Sequence, residues 1–428
     1  MQFGGVTFEV IRWTTNELVL HAASEAQVAV LDSELYQKPD HQGGPPEQWR
    51  GLIARVALPY GRASDTSRMR ILQICSAREI GGGEIHLAAL ANTLVQHGHD
   101  LFAALCPASP VRALLSSARP ENIVELPMRN SLNLATAMKL SRFVRANDIE
   151  IVHAHVARDY PLAALATGRS NAHLVLTRHV LFPLRRIHKL TLRRTSRVIA
   201  VSQSVAESLQ SQSVFDAKKI VTIYNGIDFS KFENVDARCA SPQKLRIATA
   251  GHLAHIKGQE DFVRAAKLVI QHHPDTEFVI AGEDKSSSRE NRIALENLIH
   301  ELGLYENVRL VGWVDDMPGF LATLDLFVSA ARSEPFGLAI VEAMAAGVPV
   351  VATASEGARE IIDDNQTGRL IPIGDVASLA RTIDELLSDG TERHRLAQNA
   401  KPVVREQFSL ERMVARTEEV YESTTTQQ

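Results

Sequence analysis

From Met69 onward the hydrophobic positions follow two alternating rhythms. Arg70-Ile71-Leu72-Gln73-Ile74-Cys75 is a short apolar run of strand length, Gly81-Gly82-Gly83 follows it, and a stretch with helical spacing around Leu87 to Val95 comes next. The same succession predicts strands at 100–105, 149–155, 174–177, 198–202 and 220–224, with helices at 133–146 and 205–210. Asn225-Gly226-Ile227-Asp228 is a turn signal, and the polar stretch Glu233 to Lys244 comes after it. A second series then begins, with strands at 246–250, 277–281, 308–310, 324–329 and 348–352 and helices at 259–271, 289–302, 317–322 and 335–346. Further helices are predicted near 358–362, 377–387 and 391–404.

Strands separated by helices imply right-handed βαβ units and mostly parallel sheets. The predicted fold is therefore α/β, with two Rossmann-like parallel-sheet domains, 69–226 and 227–428, facing a central cleft, and the last helix a candidate to cross back. Such sheets bind ligands beyond the carboxyl ends of their strands, so the expected site lies in that cleft. Residues 1–68 differ, with the polar stretch Lys38 to Pro46, and read as a peripheral extension. A balance of 46 basic against 50 acidic residues in 428, a net charge of -4, is ordinary for a soluble chain and argues against a nucleic-acid partner. Cys75, Cys106 and Cys239 are too few and too far apart for a disulfide framework or a Cys-x-x-Cys metal site, which favours a reducing compartment. With no long apolar span and no secretory signal, the expected location is cytoplasmic.

The densest chemistry lies in Ser333-Glu334-Pro335-Phe336-Gly337-Leu338-Ala339-Ile340-Val341-Glu342, where two carboxylates stand eight residues apart around a predicted helix start. Ser333 is placed to cap, Pro335 suits a first helical position and Gly347 ends the helix. The free amides of Phe336, Gly337 and Leu338 then face the space above the preceding strand, where a positive helix end attracts phosphate. Glu342, among apolar neighbours, wants a partner such as vicinal ribose hydroxyls; a cap-region charge and a solvated helix residue are the plainer readings of the pair. In Gly251-His252-Leu253-Ala254-His255-Ile256-Lys257-Gly258, Lys257 offers positive charge to a departing diphosphate, and His252 adds charge only near pH 6 to 7.

Gly81, Gly82 and Gly83 permit close backbone approach to a phosphate without forming a dinucleotide fingerprint. Glu84 and His86 follow them, either as acceptor-side groups or as helix-start residues. His153 and His155 share a strand face with Asp159 just beyond, but no third ligand at a workable spacing supports a metal site, and His153 reads as a satisfied buried histidine. Arg178 and His179 end the next strand as acceptor-side candidates. Between Tyr160 and Ala206 stand eight basic residues and no acidic one: Arg169, Arg178, Arg185, Arg186, Lys189, Arg193, Arg194 and Arg197. Interleaved with Leu181, Phe182, Leu184, Ile187, Leu190 and Leu192, they form a positive amphipathic segment over 178–197, suited to an anionic membrane surface, with a nucleic-acid patch or a plain solvated helix as the alternatives.

These motifs together resemble the retaining glycosyltransferases of family 4, which have the GT-B fold and a Glu-x7-Glu signature, here Glu334 and Glu342. Gly81-Gly82-Gly83-Glu84, His153-Ala154-His155, Val198-Ile199-Ala200-Val201-Ser202, Asn225-Gly226-Ile227-Asp228 and Gly251 to Gly258 occur in the family's order, and the resemblance runs from about Met69 to Val420. It implies three catalytic candidates: Glu334 beside the donor sugar, Lys257 on the leaving diphosphate and His155 near the reacting carbon. It implies donor binding by Gly82, Gly83, His252, Lys257, Phe336, Gly337, Leu338, Glu342 and Val314, the last from a segment, Val311-Gly312-Trp313-Val314, that lines the nucleotide base. The donor is then a nucleotide diphosphate sugar, the acceptor a lipid-linked or polysaccharide-precursor glycan, and the transfer retains anomeric configuration on the inner face of the membrane. No Asp-x-Asp occurs, so neither metal nor cofactor is expected. His252 stands where the family usually has arginine, and Ser355-Glu356-Gly357 where relatives commonly show two glycines. A nucleotide-sugar 2-epimerase of the same fold and a noncatalytic sugar-nucleotide binding protein are the alternatives.

Overall fold

A computed structural model describes residues 2–3, 6–13, 17–22, 28–32, 68–128, 133–168, 170–184, 188–233 and 244–426. The chain divides into two compact units, Met1–Thr66 and Ser67–Gln428. In the first, Gln2–Phe3, Val6–Trp13, Glu17–Ala22 and Val28–Asp32 pair in chain order as a four-stranded antiparallel sheet. The segment read as a plain extension thus carries strands of its own, whose signal is the alternation of Val6, Phe8 and Val10 with Thr7 and Glu9. The polar stretch from Lys38 to Pro46 lies outside the described residues.

The second unit contains two parallel sheets. Seven strands run in the order Ile220–Thr222, Arg197–Ala200, His173–Arg178, Ile151–Ala154, Arg70–Cys75, Asp100–Leu105 and Ile123–Glu125. Helices cover both faces, so a strand such as Arg70–Cys75 is buried at every position after the first, and its run is apolar there except for Gln73. Chain order leaves Arg70–Cys75 in one direction and restarts at Ile151–Ala154 on its other side. Connections departing in opposite directions open a crevice beyond the ends of these two strands, and the glycine loop and His155 enter it.

Six strands form the other sheet, in the order Val308–Gly312, Glu277–Ala281, Arg246–Ala250, Leu326–Ser329, Val350–Thr353 and Arg369–Ile371. Its reversal falls between Arg246–Ala250 and Leu326–Ser329, which deliver Gly251 to Gly258 and Ala330 to Gly337 to the second crevice. Ile123–Glu125 and Arg369–Ile371 are edge strands of three residues each, too short for periodicity to mark. Pairing with Asp100–Leu105 and Val350–Thr353 creates them.

The chain passes between the sheets twice, and the two crossings run side by side. Ile227 N donates to Phe408 O at 3.0 Å and Leu410 N donates to Ile227 O at 2.9 Å. The helix Leu410–Thr425 then packs on Gly82–Gln96 of the first sheet's layer. There Glu418 Oε1 pairs with His97 Nδ1 at 2.8 Å and His99 Nε2 at 3.0 Å, and the Tyr421 hydroxyl meets His153 Nδ1 at 2.6 Å. Tyr224, Phe336 and Phe408 gather beneath the crossing, with ring centroids 5.4 to 6.0 Å apart.

Gly226 lies so close to the returning strand that a Cβ there would stand 2.4 Å from Ser409 O and 2.7 Å from the Leu410 Cα. Backbone cannot yield as a side chain would, so Gly226→Ala must part the two crossings. We expect a loss of about 1–3 kcal/mol, read as a lower thermal midpoint; an unchanged midpoint would show that the crossings are not tightly joined.

Candidate active site

The two loops of the second crevice meet closely. Gly258 has φ of 67°, and a Cβ on it would lie 1.9 Å from Ala330 O. That approach brings Lys257 Nζ to 2.5 Å from Glu334 Oε2, with side-chain exposures of 20% and 17%. A lysine held by a carboxylate in a half-shielded crevice is a positioned cation, able to stabilise negative charge that develops beside it. His252, on the same loop, is driven below the ordinary histidine value by burial and then by Lys257 and Lys285. His252 therefore holds its proton less tightly than a free imidazole, so it adds less positive charge than the sequence reading allowed.

The signature helix begins at Leu338 and runs to Ala345, later than the predicted 335–346. Gly337 precedes it with φ of 112°, a conformation that glycine alone enters freely, so Pro335 stays in the loop. Ser333 does not cap: its hydroxyl donates to Glu356 Oε1 at 3.2 Å. Glu356 also accepts from Glu334 N at 3.2 Å, and Gly357 N donates to Glu334 O at 2.8 Å. A Cβ on Gly357 would lie 1.9 Å from Phe336 O, so Ser355-Glu356-Gly357 keeps its glycine where the backbone is crowded and uses Glu356 to clamp the loop. Phe336 turns its ring into the aromatic cluster, leaving its main chain to the crevice. The first helical amides, from Leu338, have no partner within the helix. One turn on, burial pushes the Glu342 carboxyl up to about 7, with Lys231 opposing the shift. Val314 is half-buried just past Val308–Gly312, a strand two residues longer than predicted.

On the opposite side, Gly81 N donates to Glu84 Oε2 at 2.9 Å, which gives Glu84 a helix-start role. A Cβ on Gly82 would come 3.3 Å from Leu338 Cδ1, and one on Gly83 would come 3.5 Å from the His179 ring. The glycine loop is thus wedged between the signature helix and the histidines. His155 Nε2 lies 2.7 Å from Gln73 Oε1, and His155 Nδ1 lies 3.5 Å from His179 Nε2. The His86 ring centroid stands 4.8 Å from that of His179 and 5.7 Å from that of His155. Sequence spacing around His153 and Asp159 showed no third ligand, yet tertiary folding sets His86 and His179 beside His155. His153 is satisfied by Tyr421 and by Thr177 Oγ1 at 2.7 Å, and Asp159 Oδ2 accepts from Ser76 N at 2.7 Å. Burial keeps the imidazoles uncharged at neutral pH: His86 is lowered to about 4, His153 to about 3, and His155 and His179 well below the usual value. Arg178 is buried and donates to the Phe182 carbonyl, holding the loop that follows.

Comparisons with known proteins agree with this fold. The model of "Glycosyltransferase Family 4" matches residues 80–231 and that of "Glycosyl transferases group 1" matches 232–403, so the two run consecutively through both sheets. Together they make the chain a family 4-like glycosyltransferase of the GT-B fold. Among similar proteins, the lipopolysaccharide core biosynthesis glycosyltransferase LpsE of Rhizobium meliloti is 27% identical over 335 residues, 77% of this chain and 93% of that protein. The phosphatidyl-myo-inositol mannosyltransferase of Mycolicibacterium smegmatis is 28% identical over 346 residues, 75% of this chain and 85% of that one. Among solved structures, Anabaena HepE in complex with UDP and glucose has a TM-score of 0.74 at 23% identity, covering 83% of this chain and all of its own.

Two residues of this glycosyltransferase escaped the sequence reading because they matter only across the cleft. Lys285, after the strand Glu277–Ala281, donates to Ile80 O beside the glycine loop. Glu360 accepts from Gln203 N at 2.7 Å and Ser204 N at 2.8 Å, capping the helix Gln203–Gln212 from the other sheet's layer. In the basic segment, Leu184 and Leu192 are buried, whereas Phe182 and Leu190 are 67% and 77% exposed beside exposed Lys189, Arg193 and Arg194. Arg169, Arg185, Arg186 and Ile187 lie outside the described residues.

The Glu342 shift carries a sign. A carboxyl raised to about 7 in the fold is neutral where the unfolded chain is already ionised, so the free protein loses stability as pH climbs from about 4.5 to 7. Glu342→Gln should therefore raise the thermal midpoint at pH 8 by about 1–3 °C, and the gain should fade by about pH 5. A scan at both pH values checks this, and an equal gain at each would exclude a carboxylate cost.

Proposed function

We infer that this glycosyltransferase is a retaining, metal-independent hexosyltransferase that moves a sugar from a nucleoside diphosphate donor to a lipid-linked or polysaccharide-precursor glycan, at the inner face of the membrane. The observation that carries it is the Lys257–Glu334 pair, 2.5 Å long, beside the unpartnered amides of a helix whose fifth residue is Glu342. Each part suits one portion of such a donor. Vicinal ribose hydroxyls donating to Glu342 favour its ionised form and offset its burial. The diphosphate lies on the amides from Leu338 and takes the charge of Lys257 as the sugar bond breaks. Glu334, released from or shared with Lys257, orients the sugar hydroxyls. As the anomeric carbon leaves the diphosphate oxygen, that oxygen takes the acceptor's proton and the acceptor oxygen bonds to the same face, which retains configuration without a protein nucleophile. His155 is uncharged and suits a hydrogen bond to the sugar, while Lys285 and Glu360 hold the cleft closed against water.

Support for the donor comes from HepE, whose complexes contain UDP and UDP-glucose, and for the acceptor from relatives named for lipopolysaccharide core and phosphatidylinositol glycosylation. Calorimetry with UDP, GDP and ADP, each in excess chelator, should show one nucleotide binding, with Glu342→Ala weakening it by tenfold or more, as loss of a charge-assisted bond of roughly 1.5–3 kcal/mol requires. No binding, or equal binding by the variant, would favour a protein without this donor site.

The membrane part rests on the exposed Leu190 beside Lys189 and Arg193, with Phe215 and Lys219 lining the same surface hollow. At about 1 kcal/mol for each basic residue near an anionic surface, Lys189→Glu with Arg193→Glu should weaken sedimentation with phosphatidylglycerol-containing vesicles at least tenfold. Unchanged sedimentation would move the membrane contact elsewhere.

A further inference from the structure

Three imidazoles of the first crevice converge without a charged partner of their own. His86 comes from the helix Gly82–Gln96, His155 from just past the strand Ile151–Ala154, and His179 from just past His173–Arg178. One nitrogen from each lies within 4.8 Å of the other two. For a tetrahedral ion with nitrogen ligands at about 2.0–2.1 Å, ligand atoms stand roughly 3.3 Å apart. The separation of His155 Nδ1 from His179 Nε2, 3.5 Å, already matches that spacing.

The surroundings prepare these rings as ligands. Gln73 Oε1 accepts from Nε2–H of His155, which leaves the Nδ1 lone pair directed at His179. His86 is buried, and its Nδ1 has no hydrogen-bond partner, an unmet cost that an ion drawing on the ring would reduce. Asn225 lies near enough to favour a charged His86 but not in hydrogen-bonding geometry. His153, with its ring centroid 4.2 Å from that of His155, is excluded because Tyr421 and Thr177 occupy both its nitrogens.

We propose that His86, His155 and His179 form a binding site for a single borderline transition-metal ion of the zinc class, with water or an anion as the fourth ligand. Three neutral nitrogens and no carboxylate select zinc, cobalt, nickel or copper over magnesium and calcium. The three rings come from the first sheet's layer, whereas Lys257 and Glu334 stand on loops of the second sheet. The inference rests on the proposed transfer only for its consequence: His155 faces the sugar and His86 and His179 are acceptor-side candidates, so on that reading a bound ion hinders turnover.

The test reads the ion alone, without sugar or nucleotide, so its failure leaves the transferase reading untouched. The full chain is stripped with chelator and titrated with cobalt chloride, followed by visible ligand-field absorption, and with zinc chloride against a chromogenic indicator. One ion per chain with the bands of a four-coordinate site is expected, and His179→Asn should weaken binding more than about 30-fold. His179 is only partly buried, so this variant should fold; its thermal midpoint is checked, and His86→Asn repeats the measurement independently. The proposal is overturned if wild type takes up no ion at about 0.1 mM, or if both variants keep wild-type affinity. It is also overturned if His272→Gln abolishes binding instead, since His272 and Asp384 make a surface pair that offers a competing site.

Discussion

Ile227 exchanges two backbone hydrogen bonds with Phe408 and Leu410, and the whole cleft hangs from that exchange. The outgoing chain crosses between sheets at Gly226, the returning chain crosses at Ser409, and the absence of a side chain at Gly226 lets them touch. Because the crossings are paired rather than scattered, the backbone joins the two sheets along one narrow line, the form of a hinge. Phe336 extends this constraint into the chemistry. Its ring packs with Tyr224 and Phe408 under the crossing while its neighbours Glu334 and Gly337 form the signature loop, so the loop's position is set by the same cluster that sets the hinge.

Charge in the cleft is distributed by burial. Histidines dominate the first crevice, yet desolvation leaves them neutral, and His252 across from them is lowered as well. Positive charge at neutral pH therefore rests on lysines, with Lys257 paired to Glu334 and Lys285 reaching the glycine loop. Such an arrangement sets the lysine charge on the second sheet's side of the cleft and leaves the imidazoles of the opposite wall neutral, as the proposed diphosphate and sugar contacts require. Glu342 belongs to the same logic: burial makes its carboxylate costly above about pH 4.5, a cost that hydroxyl donors would offset on the proposed reading.

The glycines of the loops mark where backbone meets backbone. Gly258 faces Ala330 O and Gly357 faces Phe336 O at distances no Cβ tolerates. Their work is to let two loops from different strands approach until Lys257 reaches Glu334. Glu356 completes the clamp with side-chain acceptance from Ser333 and Glu334, a bond that a glycine in its place would lack.

Much of this was legible in the order of residues. Strands buried on both faces are largely apolar, so Arg70–Cys75, Glu277–Ala281 and their neighbours announced a pair of parallel sheets, and motifs placed just after strand ends announced a cleft. The loops that carry Lys257 and Glu334 were legible as segments that follow strands, whereas the roles of those two residues came only from the family resemblance. What only the tertiary structure decided is what faces what. The late helix start at Leu338 follows from the left-handed Gly337 and the clamp by Glu356, neither visible in local propensity. The edge strands exist because a neighbour offers them a ladder, and Lys285, Glu360 and Tyr421 act on segments far away in sequence. The gathering of His86, His155 and His179 is the clearest case: periodicity reports which side of an element is buried, whereas the meeting of three elements depends on how the sheet twists and the helix docks.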